Sequence, residues 1–263
     1  PAAHPKCLMS DNLPIECRTH GTQPRLRPVL ARRAGAVQCN RQHMIVAEIT
    51  AQAEDAGIHC QHVTSFVEQV RRDRAAAEIM ACLAGPLVGA PYAVMAAETL
   101  IAWGARVLIF FGWCGAVSGS VAIGDLVLPT SAFVDEGTSR HYLPEASEAT
   151  PSPSLVQKIA GACASEGLCV HPGAVWTTDA PFRETREKVL AFRRQGALAV
   201  EMECSALFTL GVFRSVEAAA LLVVSDDLSS LSWTPGFKDP SFTRGREAAC
   251  GVIGKIGTLI AAA

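Results

Sequence analysis

The sequence predicts an α/β fold, a largely parallel sheet covered by helices on both faces. Three observations carry this. Strand-like and helix-like segments alternate along most of the chain. Several of the strand segments, "ARVLIFF" (105–111) and "EAAALLVV" (217–224) above all, are nearly continuous apolar runs, as strands buried on both faces are. The 263 residues, 49% of them hydrophobic and 18% charged, are enough to bury a substantial core.

In chain order, residues 1–42 carry little periodic signal and are rich in Pro and Arg, so they are expected to form an atypical N-terminal segment of a single domain spanning 1–263. "HMIVAEI" (43–49) predicts a strand, and "SFVEQVRRDRAAAEIMACL" (65–83) a helix, with apolar residues near helical spacing. "GPLVGAP" reads as a Gly/Pro turn, and "YAVMAAETLIAWG" as a helix closed by Gly104. The apolar strand 105–111 then runs into a Gly-rich loop, "GWCGAVSGS" (112–120). "VAIGDLVLP" and "SAFVDE" read as two further strands. Ser154 and Gln157 have capping-box spacing at the start of "LVQKIAGACASEG", a helix that Gly167 ends. "LCVHPGAVW" is the next strand, "TTDAPFRETREKVLAFRRQG" a polar-capped helix and "ALAV" a short strand. "ECSALFTLGVFR" follows as a helix, then the strand 217–224, and the last twenty residues as a terminal helix. No internal repeat or domain boundary stands out.

Composition excludes several function classes. A net charge of −2 gives no basic surface for nucleic acid. None of the ten cysteines forms a C-x-x-C pair, so no zinc ribbon, redox motif or other metal site is expected. Cysteines set in apolar runs suit reduced thiols and a cytoplasmic protein. The first residues lack the apolar core of a signal peptide, and no run of 18 apolar residues predicts a membrane span.

In folds of this class ligands bind beyond the carboxyl ends of the strands. Gly112–Gly119, Thr177–Phe182, Glu201–Glu203 and Ser225–Asp227 all fall at or just after predicted strand ends. In "AVEMECSALF", Glu201 and Glu203 share one side if the chain is still extended, and diverge if a helix has begun. The plainer reading makes them acids that suit a helix N-terminus. In "GWCGAVSGS" the glycines either let backbone amides approach an anion or simply form a tight turn. In "VVSDDLSS", Asp226 follows a buried strand, where desolvation would let it hold a proton for donation. The alternative for either Asp226 or Asp227 is a loop or capping acid.

Taken together, "GPLVGAP", "FFGWCGAVSGSVAIGDLVLPTSAF", "AVEMECSALF" and "LLVVSDD" resemble the nucleoside phosphorylase family, which holds purine nucleoside phosphorylases, uridine phosphorylases and nucleosidases. The similarity covers roughly residues 83–263. It implies a three-layer α/β/α fold with a twisted mixed central sheet, and cleavage of a nucleoside N-glycosidic bond. It implies that Glu203 and Met202 clamp the ribose, that Asp226 is the general acid for the departing base, and that Phe182, Val200, Glu201 and Ser225 surround the base. It places the nucleophile pocket at Gly89, Gly112, Trp113 and Cys114. The Ser225–Asp226 pair favours a purine-type base over uridine phosphorylase-like specificity. Phosphate is then a co-substrate, no metal or organic cofactor is needed, and a homo-oligomer (dimer, trimer or hexamer) is expected.

Two departures bear on the nucleophile. No Gly-Asp-Pro-x-x-Arg-like phosphate loop is present. Phe110 and Trp113 also stand where the family commonly has Arg and Ser or Thr, which removes charge-assisted donors to an oxyanion. Three outcomes are open: phosphate held by other arginines (Arg25, Arg27, Arg32, Arg41, or those of a neighbouring subunit), water in place of phosphate, or nucleoside binding without turnover. Glu16, Glu48 and Glu98 are the acids available to activate a water, with Glu98 more suited to packing. His4 and His141 read as a terminal and a surface histidine.

Overall fold

The computed structural model describes residues 44–47, 83–85, 87–102 and 105–261, all within the compact unit Gln38–Ala263. The expectations for residues 1–42 and the closing Gly104 lie outside the described residues, as does the helix expected over 65–83 except for Leu83, which is strand instead.

Among the described residues, nine strands form one mixed sheet. β1 (Met44–Ala47) and β2 (Leu83–Ala84) run parallel at one edge, and β1 pairs with β3 (Val107–Ala116). From β3 the order continues through β7 (Ala197–Glu201), β6 (Val170–Thr178), β4 (Leu126–Asp135) and β8 (Glu217–Asp227). β8 pairs back onto β3, so these five strands close into a ring. The two-residue strands β5 (Glu148–Ala149) and β9 (Thr234–Pro235) attach to β4 and β8. The β3–β8, β4–β6 and β6–β7 ladders are parallel, as the apolar runs suggest, whereas β3–β7 and β4–β8 are antiparallel, so the sheet is mixed. Register shifts interrupt the β3–β8, β4–β6 and β6–β7 ladders. Such bulges bend a strand and sharpen its twist, which closing so small a ring requires.

Helices cover both faces. On one lie α1 (Ala90–Ala102) and the later helix Cys204–Arg214; on the other lie the helices Pro153–Ser165 and Pro240–Ala261. In α1, Ala90, Ala93, Val94, Ala97 and Leu100 recur at helical spacing and are buried. They pack over Leu108, Phe110, Ala218, Ala220 and Leu222, while Ile109, Phe111, Leu221 and Val223 point into the opposite layer. Alternation along β3 and β8 thus supplies both cores. In chain order the remaining helices are α2 (Ser139–Tyr142), α3 (Pro153–Ser165), α4 (Arg186–Arg194), α5 (Cys204–Arg214) and α6 (Pro240–Ala261). No helix among the described residues is long and apolar enough to cross a membrane.

Local expectations are corrected at several points. Gly112–Ala116 is not loop but the end of β3, because partners on both edges extend the ladder past the glycines. The two strands expected over 121–136 are one strand, β4, with an irregularity between Pro129 and Ser131. The capping box at Ser154 does not form: the helix begins a residue earlier, at Pro153, with Ser152 at the N-cap. Ser152 Oγ instead accepts the Ala218 N–H at 2.9 Å, and Ser154 Oγ donates to Glu217. The helix expected over 177–196 starts only at Arg186, since Thr177 and Thr178 complete β6 and Pro181–Arg183 forms a 3-10 turn. Thr185 caps it, accepting the Lys188 N–H. The terminal helix starts earlier than expected, at Pro240, where Asp239 accepts the Ser241 N–H at 2.7 Å.

Candidate active site

The end of β8 owes its shape to one extra residue. Cys114 is level with Val224, but Gly115 is level with Asp226, which leaves Ser225 unpaired in a bulge. Ser225 Oγ donates to Asp226 Oδ1 at 2.6 Å, and its single proton makes this bond rather than the longer 3.2 Å approach to the Cys114 carbonyl. The other carboxylate oxygen, Oδ2, accepts the Trp233 indole N–H at 2.9 Å. β9 holds Trp233 in place by pairing Thr234 and Pro235 with Asp227 and Asp226. Gly115 leaves room for the carboxylate, because a Cβ there would lie 2.9 Å from both Asp226 Oδ2 and Leu228 Cδ1. Asp227 takes the loop role: its Oδ1 accepts the Ser229 N–H at 2.6 Å.

The second half of the site is the junction of β7 and α5. Glu201 ends the strand and Glu203 is the residue before the helix, so their side chains diverge. Glu201 Oε2 accepts the N–H groups of Glu203 and Cys204, each at 2.7 Å, and Oε1 accepts the Thr177 hydroxyl. It therefore satisfies donors at the start of α5, as the plainer sequence reading had it. A buried polar network braces this end: Ser205 N–H donates to Thr177 Oγ1 at 3.0 Å, and Ser205 Oγ to Glu136 Oε1 at 3.0 Å.

Glu203 is 2% exposed and accepts the N–H of Gly89. Gly89 has φ +85, a conformation that glycine adopts without strain, and it turns its N–H from the start of α1 toward the carboxylate. Burial, reinforced by the charge of Glu201, pushes the Glu203 carboxyl up to about 8. Burial also raises Glu201, against the hydrogen bonds that favour its charged form. Cys114 joins the two halves: its buried thiol is raised well above the usual range by burial, then by the Asp226 and Glu201 charges.

The structure thus gathers Gly89, Cys114, Glu201, Glu203, Ser225 and Asp226. Met202 is half-buried between the two glutamates. Val200 is buried in β7, level with Gly115 and with Trp176 of β6. Gly112 lies within β3 opposite Leu222. Trp113 faces the other helical layer, 4.9 Å edge-on from Phe242 and 6.0 Å from Phe237. Phe110 is buried on the α1 side. Phe182 is fully exposed on the 3-10 turn. Glu98 bridges Arg214 at 2.8 Å and accepts the Tyr142 hydroxyl, a packing role between α1 and α5.

Two residues at the site escaped sequence reasoning. Trp233 was signalled only by a large aromatic in a polar loop. Glu184 sits half-buried at the end of the 3-10 turn, where burial and then the Asp226 charge raise its carboxyl to about 7. Among the described residues, no group of three His, Cys, Asp or Glu side chains converges as metal ligands would.

This constellation, carboxylates at the carboxyl ends of strands in a closed mixed sheet, belongs to a known class. The sequence profile of the phosphorylase superfamily, which includes purine nucleoside and uridine phosphorylases, matches residues 46–256, and the chain belongs to that family. Among curated relatives, a guanosine phosphorylase of Halorubrum lacusprofundi is 30% identical over 141 residues, covering 54% of this chain and 58% of the relative. A DeoD-type purine nucleoside phosphorylase of Bacillus cereus is 35% identical over 132 residues, covering 50% and 56%. The chain thus spans little more than half the length of the curated relatives it matches. Among solved structures, the purine nucleoside phosphorylase of Toxoplasma gondii in complex with immucillin-H superposes with TM-score 0.67 at 17% identity, covering 83% of this chain and 91% of that one. The AMP nucleosidase of Bacteroides thetaiotaomicron gives 0.57 at 24% identity, covering 78% and 86%. At these identities the superpositions speak for the fold, which is nucleoside phosphorylase-like.

Proposed function

We propose that the protein cleaves the N-glycosidic bond of a purine-type nucleoside with phosphate, giving free base and ribose 1-phosphate. The observation that carries this reading is Asp226, set at a bulge and held by a donor on each oxygen, in one region with the buried Glu203. Glu203 and Met202 hold the ribose, and hydrogen bonds from its hydroxyls strengthen as positive charge develops on the sugar. The C1′–N9 bond breaks with its electron pair passing to the base, while a phosphate oxygen forms the new bond to C1′. Asp226 gives its proton to N7 and so spares the base from leaving as an anion. Ser225 and Trp233 orient that carboxyl. Glu184, which keeps its proton up to about pH 7, stands beside it as the reserve from which the proton is drawn.

Hydrolysis is the second reading. It is favoured by Phe110, buried, and Trp113, packed into the opposite layer, at positions where the family resemblance calls for donors to phosphate. One experiment separates the two: inosine, guanosine, adenosine, uridine and AMP incubated with and without inorganic phosphate. Base release that depends on phosphate and yields ribose 1-phosphate is the expected result. Release without phosphate makes the protein a nucleosidase, and saturable binding without release makes it a nucleoside-binding protein.

Within this reading the chain acts as a homo-oligomer. Tyr92 and Met95 on α1, with Val212 and Phe213 on α5, are large apolar side chains left exposed on adjoining helices, which supports it. Sedimentation should give a mass at least twice the 27.8 kDa of one chain. A mass equal to one chain at micromolar concentration would remove the oligomer.

A further inference from the structure

Arg246 of α6 is 7% exposed, and its Nη1 is buried without a hydrogen-bond partner. No carboxylate among the described residues pairs with it. Its guanidinium carbon lies 5.9 Å from the Phe242 ring, whose edge meets Trp113. A guanidinium does not escape burial by losing its proton. A cation–π contact offsets only part of the cost of removing such a charge from water. The side chain is thus a desolvated cation with unused donors, and the planar fork of arginine matches the oxygens of a phosphate group. It also supplies a cation to a chain that has Phe110 and Trp113 where donors to phosphate were expected, on the aromatic cluster that Trp113 itself joins.

We infer that Arg246 is the seat of a phosphate group, an anion site carried by α6 rather than by β3. Its occupant is either inorganic phosphate or the phosphate of a nucleotide. That a phosphate is the occupant rests partly on the proposed reaction; that an oxyanion binds rests on the side chain alone.

The test compares the wild-type protein with Arg246→Met and Arg246→Lys by thermal unfolding, in inorganic phosphate, in AMP and in chloride at equal ionic strength. At a concentration about a hundredfold above its dissociation constant, the occupant should raise the wild-type Tm by roughly 5 °C or more. Arg246→Lys should keep part of that rise and Arg246→Met none. In chloride, Arg246→Met should be at least as stable as wild type, because it removes an uncompensated buried charge. A rise with inorganic phosphate assigns the site to the free ion, and a rise with AMP alone assigns it to a nucleotide. Equal rises in wild type and Arg246→Met overturn the inference, as does an Arg246→Met variant destabilised in every salt, which would mean a counter-charge within the chain. Base release on its own decides the other question. If no nucleoside is cleaved but the Arg246-dependent rise persists, the site stands and the proposed reaction falls. If cleavage proceeds with an unchanged phosphate KM in Arg246→Met and neither phosphate nor AMP gives an Arg246-dependent rise, the reaction stands and the site falls.

Discussion

Asp226→Asn should lower turnover of a purine nucleoside by about 10²–10⁴-fold, the range that general acid catalysis supplies. The substitution keeps the side chain's size, so it still fits against Gly115. An amide has one acceptor oxygen where the carboxylate has two, so it cannot serve both Ser225 and Trp233, and it has no acidic proton to give. KM should change far less than kcat. The pH profile gives a second readout. In the wild type the proton reserve beside Asp226 is Glu184, which burial and then the Asp226 charge raise to about 7, so it is protonated below that pH and ionised above it. Activity should therefore fall as pH rises from 7 to 9. In Asp226→Asn the residual rate should lose that alkaline limb. An unchanged kcat would remove the general-acid role.

Glu203→Gln should weaken nucleoside binding by about 2–10-fold, because the amide has one acceptor oxygen fewer and a hydrogen bond between neutral groups is worth about 0.5–1.5 kcal/mol. The glutamine oxygen can still accept the Gly89 N–H, so the start of α1 keeps its anchor. Stability should move the other way. The Glu203 carboxyl is raised to about 8 in the folded protein, above the 4.5 of an ordinary glutamate. A raised group contributes stability that is full below pH 4.5 and lost as pH climbs through 8. The wild-type Tm should fall between pH 5 and pH 9, and Glu203→Gln should fall less over that window. Unfolding curves at those two pH values check it; parallel falls would mean that the buried carboxyl is not what titrates.

Much of this was legible in the sequence. Apolar runs fixed β3 and β8 as inner strands, and the acids of "VEME" and "SDD" fell at strand ends. Gly112–Ala116 was misjudged because glycines read as loop in a local window, while two flanking strands dictate extended backbone there. The pause at Pro129–Ser131 looked like a break between strands because proline gives no ladder N–H, yet a bulge absorbs it. Ser152 rather than Ser154 stands at the N-cap of α3 because Pro153 takes the first helical position, and the Ser152 hydroxyl is claimed by Ala218, a partner sixty-six residues away. Glu184 and Trp233 were missed for the same reason: what sets each apart is its proximity to Asp226, a tertiary fact with no local pattern.

The unpaired Ser225 has a consequence for how this site can drift. A bulge is set by the number of residues between two anchored points, not by which residue fills the extra place. Exchanging Ser225 for another small residue would alter a hydrogen bond and leave Asp226 facing the same way. Deleting one residue between Val224 and Asp226 would remove the bulge and with it the local bend and twist that aim the carboxylate. The location of the acid is thus written in chain length, so point substitution can tune the site while insertion or deletion in β8 abolishes it.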